Sequence, residues 1–343
     1  MIRFPRIWIA SGECRIIDGR QGRHGIGANA LIEGIQNKKV VVIGATGLIG
    51  SYLVARLEEL TCHVYPLSFE GYPLEYKVKG LAAKARPIMF KPDSDWSPPD
   101  LVDAVINLHW QRTPESSLLS DAANEFHRSV IVLERFLLNL RDAKPRVFVD
   151  VSSIQVFGKN NQSPVEAHHE PRPDTAYGLA KLMAEKAFEA VFRGTATQVR
   201  HLRLCSVYGH GSHHTQLVSR LCASAYHDEN ITLNVDHKIS LLHVDEVVDL
   251  VIASAFVETD RDRFLLTSEP IEVGEVARQF EKISNRRLKS EQSFSETTPR
   301  DVTFVSDRET LASGWTRQLT LREGLAEVAE RASSEHIYSR QEE

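Results

Sequence analysis

Residues 38–60 constrain the fold of this chain more than any other stretch. Val40-Val41-Val42-Ile43 is an apolar run of strand length. Gly44-Ala45-Thr46-Gly47-Leu48-Ile49-Gly50 follows at once, and residues 51–60 then carry the apolar spacing of an amphipathic helix. A strand feeding a helix through a glycine-rich turn is the opening of a parallel α/β unit. The turn also has a chemical meaning. Backbone N–H groups at a helix N-terminus attract phosphate, and glycine permits both the tight turn and a close approach. Gly44, Thr46, Gly47, Leu48, Ile49 and Gly50 are therefore expected to hold the pyrophosphate of a dinucleotide.

The same alternation continues. Strands are predicted over residues 63–67, 86–90, 103–108, 146–151 and 198–204, with Pro66 weakening the end of the first. Helices are predicted over 122–140 and 177–192. Strands and helices in this rhythm build a parallel sheet covered on both faces, with its ligand crevice at the carboxyl ends of the strands. The fold class is α/β, a Rossmann-type doubly wound parallel sheet. After Gly209 the rhythm loosens into short strands within 231–268 and helices near 245–256, 273–284 and 321–332. The predicted organisation is an N-terminal extension (1–37), a dinucleotide-binding domain (38–208) to which some later segments return, a mixed substrate-binding region (209–332) and a tail (333–343).

Composition narrows the function classes. Of 343 residues, 42% are hydrophobic and 25% charged, enough apolar material for a sizeable core. A net charge of −5 supplies no basic footprint for nucleic acid. No apolar run approaches the roughly 20 residues of a membrane span, so no membrane partner is expected. Cys14, Cys62, Cys205 and Cys222 stand far apart without a C-x-x-C pair. They read as reduced thiols of a cytoplasmic protein, with no metal site. His168, His169, His210, His213 and His214 lie in polar loop stretches without metal-ligand spacing.

Further motifs follow the glycine loop in order. They are "VSSIQVFG" (151–158), "AYGLAKLMAEK" (176–186), "LRLCSVYG" (202–209), "LLHVDEVVDLV" (241–251) and "SGWTRQLTLREGL" (313–325). Together with "GATGLIG" the set resembles the extended short-chain dehydrogenase/reductases, the NAD(P)-dependent epimerase/dehydratase type, over about residues 38–332. The resemblance implies that Tyr177 is the catalytic acid/base, that Lys181 lowers its pKa and reaches the nicotinamide ribose, and that Ser153 hydrogen-bonds the reacting oxygen. Ser152 is the neighbouring alternative. It also places Leu108, His109, Arg112 and Cys205 near the cofactor. Trp110 and Ser206 would stand near the substrate. The physics is coherent: a nearby cation favours phenolate, and an acid/base works best with a pKa near the working pH.

Several positions depart from that pattern. Ser68, 24 residues beyond Gly44, stands where an acidic residue would hold the ribose of NAD, which leans the cofactor, NAD or NADP, toward NADP. His109 and Trp110 replace two small residues, and bulk at Trp110 is expected to reshape the nicotinamide pocket. Ile154-Gln155 replaces the Asp-Glu pair of 4,6-dehydratases, which argues against dehydration. Ile239 replaces an arginine that grips a diphosphate, with Lys238 and Arg300 as substitutes. The expected activity is epimerisation or ketoreduction of a secondary alcohol or ketone of a sugar or sugar nucleotide. The alternative is a non-catalytic dinucleotide-binding regulator on the same fold. The family resemblance further implies a homodimer formed through helices near 122–140 and 177–192.

Overall fold

The computed structural model describes residues 34–69, 84–91, 96, 98, 101–112, 117–159, 163–294, 302–311, 316 and 318–339. The first unit is β1 (Lys39–Ile43), the glycine turn and helix α1 (Leu48–Glu59). Strands β2 (His63–Phe69), β3 (Ile88–Phe90) and β4 (Ala104–Asn107) follow. Helix α2 (Leu118–Ser129) and helix α3 (Glu134–Ala143) are joined by a 3-10 turn at Ile131–Leu133. Strand β5 (Val147–Ser153) runs into a second 3-10 turn (Ile154–Phe157), helix α4 (Ala176–Val191) and strand β6 (Gln198–Leu204).

The remaining elements are β7 (Ser206–Tyr208), α5 (Leu217–His227), β8 (Ile231–Asn234), β9 (Lys238–Ile239), β10 (Leu241–His243) and α6 (Val244–Phe256). After them come β11 (Arg263–Leu266), β12 (Ile271–Glu272), α7 (Val273–Ser284), β13 (Ser290–Ser293), α8 (Arg308–Leu311) and α9 (Leu321–Ser339).

Seven strands pair in the order β11-β6-β5-β4-β1-β2-β3, all parallel. The order reverses beside β1, which puts the crevice at the carboxyl ends of β1 and β4. Strand β11 comes from late in the chain and completes the sheet against β6. Three two-stranded ribbons, β10-β7, β12-β9 and β13-β8, lie outside it. They pack with α5, α7 and α9 around a separate core that includes Leu221, Val276, Phe280 and Leu325.

Some boundaries differ from the sequence reading, for physical reasons. Pro66 does not end β2, which continues to Phe69. Strand β3 starts only opposite Leu67, so the missing N–H of Pro66 costs no bond on that side. The single helix expected over 122–140 is two helices with a 3-10 break, although no glycine or proline marks it. Leu133, in the break, continues the buried i, i+4 stripe of Asp121, Glu125 and Ser129, so the turn redirects the chain without losing its inward face. Helix α9 runs to Ser339, so part of the expected tail is helical. Residues 1–33 of the expected extension lie outside the described residues, while residues 34–35 are helical. No described helix is long and apolar enough to cross a membrane.

Candidate active site

The glycine turn is shaped by close approach. Gly44 has φ +80°, and a Cβ there would stand 2.8 Å from the His109 backbone nitrogen. Only glycine lets the turn press against the chain leaving β4. Gly47 caps α1 without any side-chain hydrogen bond, and the first turn holds no acidic residue. The N–H groups and positive end of α1 therefore face the crevice uncompensated by the protein, which fits a dinucleotide pyrophosphate. Leu48 and Ile49 pack on the core below the sheet. Ser68 is buried, and its hydroxyl lies 3.0 Å from that of Thr46. It ties the end of β2 to the phosphate turn.

Across the crevice, β5 and α4 are locked together. The Thr175 hydroxyl caps α4 by accepting from Gly178 N at 3.0 Å and donates to Gln155 Oε1 at 3.0 Å. A Cβ on Gly178 would lie 2.3 Å from the Gln155 carbonyl, so glycine is what allows the helix to start against the turn. This contact fixes the start of α4, and with it Tyr177, against the turn that follows Ser153, and the Ser153 hydroxyl acts to lower the phenol pKa. Ser152 turns the other way and donates to Glu185 at 2.6 Å. Ser153, not Ser152, is thus the serine at Tyr177.

Trp110 and Arg112 complete the cluster. The Arg112 guanidinium lies 4.2 Å from the Tyr177 ring centre, and Trp110 meets the same ring edge-on at 5.9 Å. Lys181 is buried, donates to the Val151 carbonyl at 2.8 Å, and sits 3.8 Å from the centre of the Trp110 ring. The Trp110 indole donates to Glu125 at 2.9 Å, and Glu125 is wholly buried. Trp110 therefore lies over the lysine's ammonium as well as beside the phenol.

This geometry changes the expected electrostatics. Burial pushes the Tyr177 phenol up, and the Arg112 charge and the Ser153 hydroxyl only partly offset it. The lowered phenol expected from the sequence is not what the protein alone produces. Desolvation outweighs the cations, and the leading cation is Arg112 rather than Lys181. Lys181 itself is pushed down to about 8 by burial, against the pull of Asp150, Glu185 and Glu125. His109 is buried, stacks on Phe69 at 4.7 Å and is driven down to about 4, chiefly by burial.

The other expected positions make no hydrogen bond, ion pair or ring contact with Tyr177 or Lys181 among the described contacts. Leu108 packs against the core at the exit of β4. Cys205 is buried, with its thiol pushed up to about 11 by desolvation, which suits packing. Ser206 opens β7, and Lys238 opens β9, where it pairs with Glu272 across the ribbon. Arg300 lies outside the described residues. Sequence reasoning missed Glu125, Asp150 and His201. Asp150 was visible only as one acid within the apolar run of β5, while Glu125 and His201 stand among other polar residues of α2 and β6 and carried no separate signal.

No curated protein sequence matches the chain, but solved structures do. MoeE5, in complex with UDP-glucuronic acid and NAD, is 25% identical, with a TM-score of 0.69 over 87% of this chain and 99% of that one. UDP-glucuronic acid 4-epimerase from Bacillus cereus, with UDP-glucuronic acid and NAD, is 19% identical, with a TM-score of 0.70 over 86% and 99%. RMD from Pseudomonas aeruginosa, complexed with NADPH, is 17% identical, with a TM-score of 0.65 over 87% and 99%. The last two likenesses are likenesses of fold. Residues 40–261 match the model of the NAD dependent epimerase/dehydratase family, and the chain belongs to that family.

Proposed function

We propose that the protein is an NAD(P)-dependent epimerase that inverts one secondary hydroxyl of a nucleotide-linked sugar with a retained cofactor. The observation that carries this reading is the junction of Ser153, Tyr177 and Lys181 across the crevice from the uncapped glycine turn. The solved relatives bound to UDP sugars and NAD support the substrate class.

The nicotinamide, when bound, supplies hydride acceptance and return. The chain's own groups do the rest. As phenolate, the Tyr177 oxygen takes the hydroxyl proton while the carbonyl forms, and as phenol it gives that proton back on reduction. The Ser153 hydroxyl holds the reacting oxygen against Tyr177. Arg112, over the ring, favours the phenolate and lowers the barrier to proton removal. Glu125 holds the Trp110 indole, and Trp110 walls the site beside the Tyr177 ring. Gly44 to Gly50 would hold the pyrophosphate. Ser68 carries no charge to repel a 2′-phosphate, so NADP is admitted beside NAD. That neutrality favours a second reading, a ketoreductase that exchanges NADPH. The exposed Leu118, Leu119, Ile131 and Leu138 on α2, α3 and the turn between them support a homodimer through this face.

The test is direct. Purified protein is denatured and any released nucleotide identified by mass spectrometry. UDP-glucuronic acid and UDP-glucose are then each incubated with the enzyme and followed by proton NMR. Co-purified NAD and appearance of a sugar epimer without added reductant support the proposal. Consumption of NADPH with a 4-keto sugar would replace it with reduction. The Tyr177→Phe variant should lose turnover by about 10³-fold while still binding NAD. Unchanged biological activity in that variant would favour the regulator instead.

A further inference from the structure

A row of polar residues crosses the sheet beneath α4. Asn107 on β4 pairs in register with Asp150 on β5, Asp150 with His201 on β6, and His201 with Arg263 on β11. Strands buried on both faces of a parallel sheet are ordinarily apolar throughout. Asp150 and His201 are nonetheless both buried. Asn107 Nδ2 donates to Asp150 Oδ1 at 2.9 Å, and His201 Nδ1 lies 3.4 Å from Asp150 Oδ2. The far nitrogen of His201 is 3.7 Å from Glu189, which is itself bonded to Arg263 at 2.5 Å. On α4, Tyr177, Lys181, Glu185 and Glu189 follow one another at steps of four, so the helix lays a matching stripe over the row.

The charges in this layer do not all cancel among themselves. Glu185 is held by two guanidinium nitrogens of Arg203, at 2.7 and 3.0 Å, and by Ser152. Glu189 is matched by Arg263 and Lys186. Asp150 is held by an amide and an imidazole, and no fixed cation touches it among the described contacts. Lys181 is a buried cation whose bonds go to a carbonyl and a ring face. A buried ammonium stays charged only beside a compensating anion. The charged and titratable groups around it are Asp150 from β5, Glu185 and Tyr177 from α4, Glu125 from α2, and Arg112 and His109 from the chain after β4. Asp150 directly precedes Val151, whose carbonyl takes the Lys181 ammonium at 2.8 Å, and its carboxylate is the member of the row beneath α4 that pulls on Lys181 most.

We propose that Asp150, fixed by Asn107 and His201, is a positioning residue that keeps the Lys181 ammonium charged beneath the substrate pocket. Nothing in the motif at 151–158 or 176–186 requires it. The role concerns the charge of Lys181 and holds whichever substrate is turned over.

The experiment titrates Lys181 itself. The full chain is labelled with ε-¹³C lysine, and the Lys181 resonance is assigned by its loss in Lys181→Met. The titration is followed by NMR without substrate or cofactor, so a failure here is distinct from a failure of the proposed activity. The parent should titrate near 8. Asp150→Asn should lower the midpoint by about one to three units, and Glu125→Gln by less. The double variant Asp150→Asn/His201→Gln makes both buried titratable members of the row neutral amides and carries the same expectation if the single variant does not fold. His201→Gln, which keeps the carboxylate, should move the midpoint by less than about 0.3 unit. A midpoint unmoved in both Asp150 variants that fold, or moved further by Glu125→Gln, would overturn the proposal.

Discussion

The two faces of the central sheet are built from different materials. Toward α1 and α6 the strands present Val40, Val42, Ala104, Ile106, Val147, Val149, Leu202 and Leu204. The exception, Arg200, sits at the amino edge and spends its donors on the carbonyls of Ser254, Val257 and Thr259. Toward α2, α3 and α4 the same strands begin apolar, with Val41, Val105 and Phe148. Nearer the crevice that second face changes to Asn107, Asp150, Ser152, His201 and Arg203. One face holds the sheet together by packing. The other trades apolar burial for charges that set the environment of Tyr177 and Lys181. Buried charges are weak contributors to stability but are costly to break singly.

The largest expected stability effect follows from that asymmetry. Arg203→Met leaves Glu185 buried without its guanidinium and should cost about 3–5 kcal/mol in urea unfolding near pH 7. The pH dependence has a definite sign. Burial raises Glu185, but Arg203 overcomes it and holds the carboxyl below its ordinary value. Its contribution is present above the unfolded carboxylate pKa and is lost as pH falls through the folded one. Without Arg203, burial wins and the sign reverses. The gap between parent and variant should therefore widen from pH 4 to pH 7, and a gap that is flat across that range contradicts the contrast between the faces.

Leu53→Ala on α1 probes the apolar face. It deletes a fully buried side chain and should cost about 3 kcal/mol. Here the loss is cavity and transfer energy, so it should be the same from pH 5 to pH 8. A pronounced pH slope in this variant would blur the distinction that Arg203→Met draws.

The two faces were unequally legible in the sequence. Apolar runs such as Val40-Val41-Val42-Ile43 announce strands because periodicity is local information. Glycine punctuation announced the turn between β1 and α1 for the same reason. Asp150 and His201 are quiet in that reading, since each sits in a run that still scores as a strand. Their meaning comes from register, which sets Asn107 beside Asp150 and Asp150 beside His201 over separations of 43 and 51 residues. Trp110 was visible as a bulky intruder, but Glu125, the acid that holds it, was not. The upward push of burial on Tyr177 in the protein alone was not legible either, because burial cannot be read from a motif.

His109 stands between these cases, at the crevice end of the second face. Its folded pKa is depressed to about 4 by burial, so the folded protein keeps the ring neutral where the unfolded chain would protonate it. The unfolded state binds the extra proton between about pH 6.5 and 4, and stability falls as pH falls through that window. The loss should reach about 2–3 kcal/mol by pH 4. His109→Phe keeps the stack on Phe69 and should remove this part of the acid slope, while stability at pH 7.5 changes little. An unchanged slope in urea midpoints between pH 6.5 and 4 would show that His109 is not the group responsible.

The smallest effect separates two adjacent residues of one type. Ser152 points into the charged face and donates to a carboxylate that Arg203 already grips. Ser153 ends β5, caps the following turn by accepting from Gln155 N at 3.2 Å, and faces Tyr177. Ser152→Ala should cost about 1 kcal/mol, since one hydrogen bond to a charged group is lost while the group stays paired. Its turnover should stay within about threefold of the parent, because nothing at the phenol changes. Ser153→Ala should cost less stability and lower turnover by about 10²-fold, the loss expected when an acid/base loses its hydrogen-bonded guide. Measuring both variants by urea unfolding and by turnover gives a crossed result if the two sides of the strand do different jobs. A turnover loss in Ser152→Ala equal to that in Ser153→Ala would mean that the charged layer and the reacting phenol act as a single unit.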